Sequence, residues 1–88
     1  MTWQIEFSDK ARKQFDKLDY AVQDRILRYL FKRVASAANP ISLGSALVGE
    51  FAGHVRFRIG DYRVIARIES NRLVVLVVGV GHRRLVYT

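Results

Sequence analysis

The 88 residues, half of them hydrophobic and a quarter charged, have a globular composition and suit one domain over 1–88, since domains run from about 50 to 200 residues. Fifteen Lys and Arg against eight Asp and Glu leave a net charge of +7, a balance that favours a polyanionic partner. The absence of Cys excludes thiol catalysis, disulfides and cysteine-ligated zinc.

No apolar run approaches the roughly 18 residues that span a bilayer. The opening Met1-Thr2-Trp3-Gln4-Ile5-Glu6 lacks a charged-then-apolar leader, so a cytoplasmic chain without membrane contact is expected. Trp3, Ile5 and Phe7 alternate with polar residues, the period of a half-buried strand. Ser8 suits a helix N-cap with Asp9 in the first turn. Ala11, Phe15 and Leu18 then mark an amphipathic helix over about 9–18. Asp19 can cap a second helix over about 20–36, with Val22, Ile26, Leu27, Leu30, Phe31 and Val34 as its apolar stripe. Arg25, Arg28 and Lys32 lie opposite, and Asn39-Pro40 ends the helix. Residues 40–53, with Gly44, Gly49 and Gly53, read as an ordered connection of 14 residues.

His54–Ile59 and Tyr62–Glu69 are strand-like runs separated by Gly60-Asp61, a pair suited to a two-residue hairpin turn. That turn sets Ile59 against Tyr62, Arg58 against Arg63, Phe57 against Val64 and Arg56 against Ile65. Alternation puts Val55, Phe57, Ile59, Tyr62, Val64, Ala66 and Ile68 on one face, and His54, Arg56, Arg58, Arg63, Ile65 and Arg67 on the other. After Ser70-Asn71 comes the apolar run Leu73–Val78, as in a central strand covered on both faces. Gly79 and Gly81 predict a bend or a close backbone approach beyond it. The architecture expected is α+β: an N-terminal strand, a two-helix hairpin, then an antiparallel β-meander with the helices packed on one face of the sheet. The arginine-bearing face is left open.

Charge is uneven along the chain. Residues 54–88 hold seven arginines, no lysine and only Asp61 and Glu69 as acids. Arginine presents a rigid donor fork that fits phosphate, which lysine does not. Arg58 directly opposite Arg63 costs a sheet up to about 1 kcal/mol, a cost an anion between them would remove. Two histidines without cysteine argue against a metal site, and no phosphate-cradling loop or other cofactor motif is present. Clustered guanidiniums with His54, His82 and Tyr87 suit phosphodiester chemistry on RNA. There the substrate's own 2′-hydroxyl is the nucleophile, and the protein binds phosphate and stabilises charge. Arginine stays protonated, so proton transfer points to His82, Tyr87 or His54.

The segments Leu47-Val48-Gly49-Glu50-Phe51, Val55–Ile65 with its Gly60-Asp61-Tyr62-Arg63, and Val80–Tyr87 with its Gly81-His82-Arg83-Arg84 resemble the RelE toxins of the RelE/ParE superfamily. The resemblance covers essentially the whole chain. It implies a type II toxin that cuts messenger RNA in the ribosomal A site, leaving a 2′,3′-cyclic phosphate and a free 5′-hydroxyl. It also implies an acidic antitoxin of the RelB type, with operator DNA bound only by the toxin–antitoxin pair. By position, Arg63 matches the arginine on the scissile phosphate, Arg83 the one near the leaving group and Tyr87 the terminal tyrosine at the base. His82 is a candidate for proton transfer, and Arg56, Arg58, His54, Arg67 and Arg84 are candidates for substrate binding. Arg56 and Arg58 stand where the best-known member has two lysines, and Leu85 stands where an acid is common. Two other readings stay open: a ParE-like inhibitor of DNA gyrase, and a non-catalytic nucleic-acid-binding module.

Overall fold

A computed structural model describes residues 2–83. The order of elements is β1 (Gln4–Phe7), α1 (Asp9–Asp16), α2 (Tyr20–Arg28) with a π-helical extension Tyr29–Val34, a 3-10 turn Pro40–Leu43, β2 (Ser45–Ala46), a second 3-10 turn Gly49–Phe51, β3 (His54–Ile59), β4 (Tyr62–Glu69) and β5 (Val74–His82). Among the described residues five strands form one sheet in the order β1-β5-β4-β3-β2. The fold is the expected α+β arrangement, with β3, β4 and β5 a meander and β1 returning parallel to β5.

The first helix starts with a side-chain cap, whereas Asp19 stands at the N-cap of α2 without a capping hydrogen bond. Ser8 Oγ accepts from the Ala11 backbone N–H at 3.1 Å, filling one of the donors a helix start leaves unpaired. The second helix is longer than an α-helix over 20–28 and shorter than a uniform one to Ser36. From Tyr29 it widens to i→i−5 bonding, with Ala35 N donating to Leu30 O at 2.9 Å. The wider turn buries Leu30, Val34 and Ala35 together, and Ala35 O accepts from Trp3 N at 2.8 Å. The helix end is thereby tied to the chain entering β1.

Both helices cover the apolar face. Ala11, Phe15, Ile26, Leu30 and Val34 meet Val55, Phe57, Ile59, Val64, Ala66, Val75, Val77 and Val80 in one buried cluster. Hydrophobic burial on this single face holds the layers together. The connection over 40–53 is more structured than its composition suggested. Its Ser45 and Ala46 pair with Arg56 and Val55 as an edge strand. Gly44 makes the approach possible, since a Cβ there would stand 2.4 Å from Arg56 O.

The register of β3 on β4 is the one expected from a Gly60-Asp61 turn, including Arg58 opposite Arg63. The glycine signal in β5 corresponds to a bulge. Ala66 pairs with Val77 but Ile65 with Gly79, leaving Val78 as the extra residue, which bends and twists the strand locally. β1 covers β5 only from Val74 to Val77. Beyond it α1 takes over, and Gln14 Oε1 accepts from Val80 N at 2.9 Å.

Candidate nucleic-acid interface

The sheet face turned away from the helices carries the arginines. Cross-strand rows order them: Arg58, Arg63 and Gly81 form one row, Arg56, Ile65 and Gly79 the next, and His54, Arg67 and Leu76 a third. Gly79 and Gly81 put no side chain above β5, so the face is a trough whose far wall is α1. Next to the arginines, Ile65 and Phe51 give it an apolar floor and rim, and Lys10, Gln14 and Lys17 from the helix and Tyr62 and His82 from the strands line a cavity of about 460 Å³. Ile65, among arginines by alternation, is nonetheless buried.

Two of the arginines are tied to the hairpin turn. The Arg63 guanidinium donates to Tyr62 O at 3.2 Å and to Gly60 O at 3.4 Å. Arg83, the first residue past β5 and exposed, is anchored by its backbone N–H on Asp61 O at 2.9 Å. Arg58 stands beside them at the end of β3. Among the described residues no carboxylate comes within ion-pairing distance of Arg58, Arg63 or Arg83. The cost of placing like charges side by side is therefore unrelieved within that part of the chain. A phosphate between the forks would offset it.

Other candidates are placed differently. Arg67 shares the face but donates to Glu69 Oε2 at 3.1 Å, and Arg72 donates to Glu69 Oε1 at 2.6 Å. Arg67 thus serves an ion cluster at the β4–β5 end. Its hydrogen bond does most to hold the Glu69 carboxyl below its ordinary value of 4.5; partial desolvation opposes it, and Arg72 adds to the lowering. A carboxyl depressed in the folded state stabilises above its unfolded pKa, and the gain is lost as pH falls through the folded one. Glu69→Gln is therefore expected to lower the melting temperature at pH 7, with the deficit closing as pH falls through the lowered pKa of the carboxyl, as read by calorimetry across acid pH.

His54 lies at the start of β3 with Nδ1 3.2 Å from Phe51 O and its ring edge-on to Phe51. His82 pairs with Tyr62, its ring edge-on to Tyr62 at 5.7 Å, and lines the cavity beside Gly79 and Gly81. The structure thus brings Arg56, Arg58, Arg63 and Arg83 to one region, while His82 lines the neighbouring cavity together with Ile65, Gly79 and Gly81. Tyr87 and Arg84 lie outside the described residues. Lys10, Gln14 and Lys17 escaped the sequence reading, although their i, i+4, i+7 spacing places them on one helix face. That face runs one residue ahead of the buried Ala11–Phe15–Leu18 stripe.

Residues 5–87 match a family model described as the ParE toxin of type II toxin–antitoxin systems. The chain is 28% identical to toxin RelG of Mycobacterium tuberculosis (strain ATCC 25618 / H37Rv) over 87 residues, covering 99% of this chain and 98% of that one. It superposes on a chain of the toxin–antitoxin complex RelBE2 from Mycobacterium tuberculosis with a TM-score of 0.85 and 26% identity, covering 94% and 93% of the two chains. The archaeal RelE–RelB complex from Pyrococcus horikoshii OT3 shares the fold at a TM-score of 0.72 and 23% identity, with 94% and 97% covered.

Proposed function

Because the chain belongs to the RelE/ParE superfamily of type II toxin–antitoxin toxins, we propose that it is a ribosome-dependent endoribonuclease that halts translation by cutting messenger RNA in the A site. The observation that carries this reading is the row Arg58–Arg63–Gly81 with Arg83 beside it. It is a set of guanidiniums, Arg58 and Arg83 exposed and Arg63 half-buried, with no carboxylate partner among the described residues, next to a side-chain-free stretch of backbone where a phosphodiester can approach.

In this mechanism the 2′-oxygen of one nucleotide attacks its own 3′-phosphorus. The P–O5′ bond breaks, and the products are a 2′,3′-cyclic phosphate and a 5′-hydroxyl. Arg63, its fork held by the turn carbonyls, binds the non-bridging oxygens and takes up the charge that builds on them. Arg83 faces the departing 5′-oxygen. Charge placed in advance of reaction needs no reorganisation at the transition state. Arg56 and Arg58 hold neighbouring phosphates. The 2′-hydroxyl proton passes to His82, which lines the cavity, to Tyr87 or to a ribosomal group, and the second proton reaches the leaving oxygen from the same surroundings. An acidic RelB-type antitoxin covers the arginine face and silences it, and the pair binds operator DNA. The site of action is the cytoplasm, where the ribosomes are.

Without a dedicated base the chain depends on the ribosome to align the 2′-hydroxyl in line. Primer extension is expected to show A-site cuts on programmed ribosomes and little cleavage of naked message. A second reading is favoured by the description of the matching family model, a ParE-like block of gyrase without RNA cleavage. Intact message on programmed ribosomes together with inhibited gyrase supercoiling would establish that reading instead. Intact message with active gyrase would leave a nucleic-acid-binding module.

A further inference from the structure

A second basic concavity lies across the hairpin turn from the trough. Arg25, Lys32 and Arg33 of α2 and its π extension, together with Arg58, surround a floor of Tyr29, Ile59 and Gly60. All four cations are exposed. Arg28 is engaged with Asp24, but among the described residues no carboxylate pairs with Arg25, Lys32, Arg33 or Arg58. Arg25, Arg28 and Lys32 repeat at i+3 and i+4 spacing, where like charges repel, and Arg58 adds another from the sheet. A face selected only for solubility would alternate charge sign.

The geometry holds these groups in place. Gly60 has a φ of +61°, and the Arg25 guanidinium lies where a Cβ would be, with Nη1 2.8 Å from that position. The turn glycine thus gives Arg25 a seat against the hairpin backbone. Arg33 lies over the Tyr29 ring at 5.6 Å, and the Tyr29 hydroxyl donates to Leu43 O. The one aromatic ring here is therefore covered and tethered, leaving no platform on which a base can stack. Exposed cations without a stacking surface are suited to backbone phosphates, contacts that carry no sequence information.

We propose that this concavity is a sequence-independent phosphate-binding surface for the same RNA strand that enters the trough, engaging nucleotides beyond the scissile one. It rests on the reading of the trough as an RNA site. The choice of RNA follows from Arg58, which belongs to both surfaces and makes them one continuous track around the turn.

The test compares a cleavage-resistant RNA trinucleotide with a 12-nucleotide strand, measuring affinity against salt for the wild type and for R25Q/K32Q/R33Q. Losing three phosphate contacts on a single strand should reduce the log–log salt slope for the longer RNA by about 2. Its affinity at low salt should fall about tenfold or more, while trinucleotide binding stays unchanged. R25K/R33K should restore the slope, which a merely folding-related defect would not allow. An unchanged slope for the triple variant overturns the proposal. So does an unchanged slope accompanied by lost antitoxin binding, which would make the surface a protein contact. Arg63→Ala distinguishes the two readings, since it should weaken both RNAs. If it weakens neither, the trough reading fails, whatever the length dependence shows.

Discussion

Arg63→Ala is expected to reduce cleavage of message on programmed ribosomes by about 10²–10³-fold, the cost of losing one preorganised donor to developing charge. Arg83→Ala should act in the same direction. The double variant should fall short of the product of the two, because groups acting on one transition state are not additive. The side chain of Arg63 also holds the hairpin through Gly60 O and Tyr62 O, so the fold has to be followed separately. Thermal melts close to the wild type together with lost growth inhibition would assign the defect to chemistry. Arg63→Lys keeps the charge without the fork and should recover only part of the rate. Full growth arrest by either alanine variant would remove these arginines from the site.

Phe57→Ala carries the largest expected effect on stability. The ring is fully buried in the centre of the cluster, tilted against Tyr29 at 6.1 Å, and it lies on the strand whose opposite face holds Arg56 and Arg58. Truncation of a buried phenylalanine costs about 3–5 kcal/mol. A chain of this size holds only about 4–13 kcal/mol in all, so the melting temperature should drop by more than about 12 °C or cooperative unfolding should vanish. Tyr20→Ala is the control. That side chain is 88% exposed, and its loss should leave the melt nearly unmoved. A small shift for Phe57→Ala would mean that the helices do not pack where the apolar alternation puts them.

The two β-strands that carry the arginine face were legible because their information is local. Period-two alternation assigned each side chain to a face, and Gly60-Asp61 set the register, so Arg58 opposite Arg63 followed from spacing alone. The same logic does not reach past the irregularity in β5. The bulge at Val78 adds one residue to β5, and a single insertion exchanges the faces of everything after it. Arg67 illustrates a different loss. Its partner Glu69 sits two residues along the same face, in plain view, but only the turn into β5 brings Arg72 to the same carboxylate.

From the order of its residues alone this protein is a basic, cysteine-free α+β domain with helices on one side of a meander and arginines on the other. Those properties follow from periodicity, capping and turn chemistry acting over a few residues. Tertiary structure decided the parallel return of β1 onto β5, the conversion of Ser45–Ala46 into an edge strand, and the trough between Gly79, Gly81 and α1. It also brought Arg25 of α2 to the hairpin turn beside Arg58. Each of these joins segments far apart in the chain, and their contacts form only because burying one shared apolar face offsets the entropy of closing the loops between them.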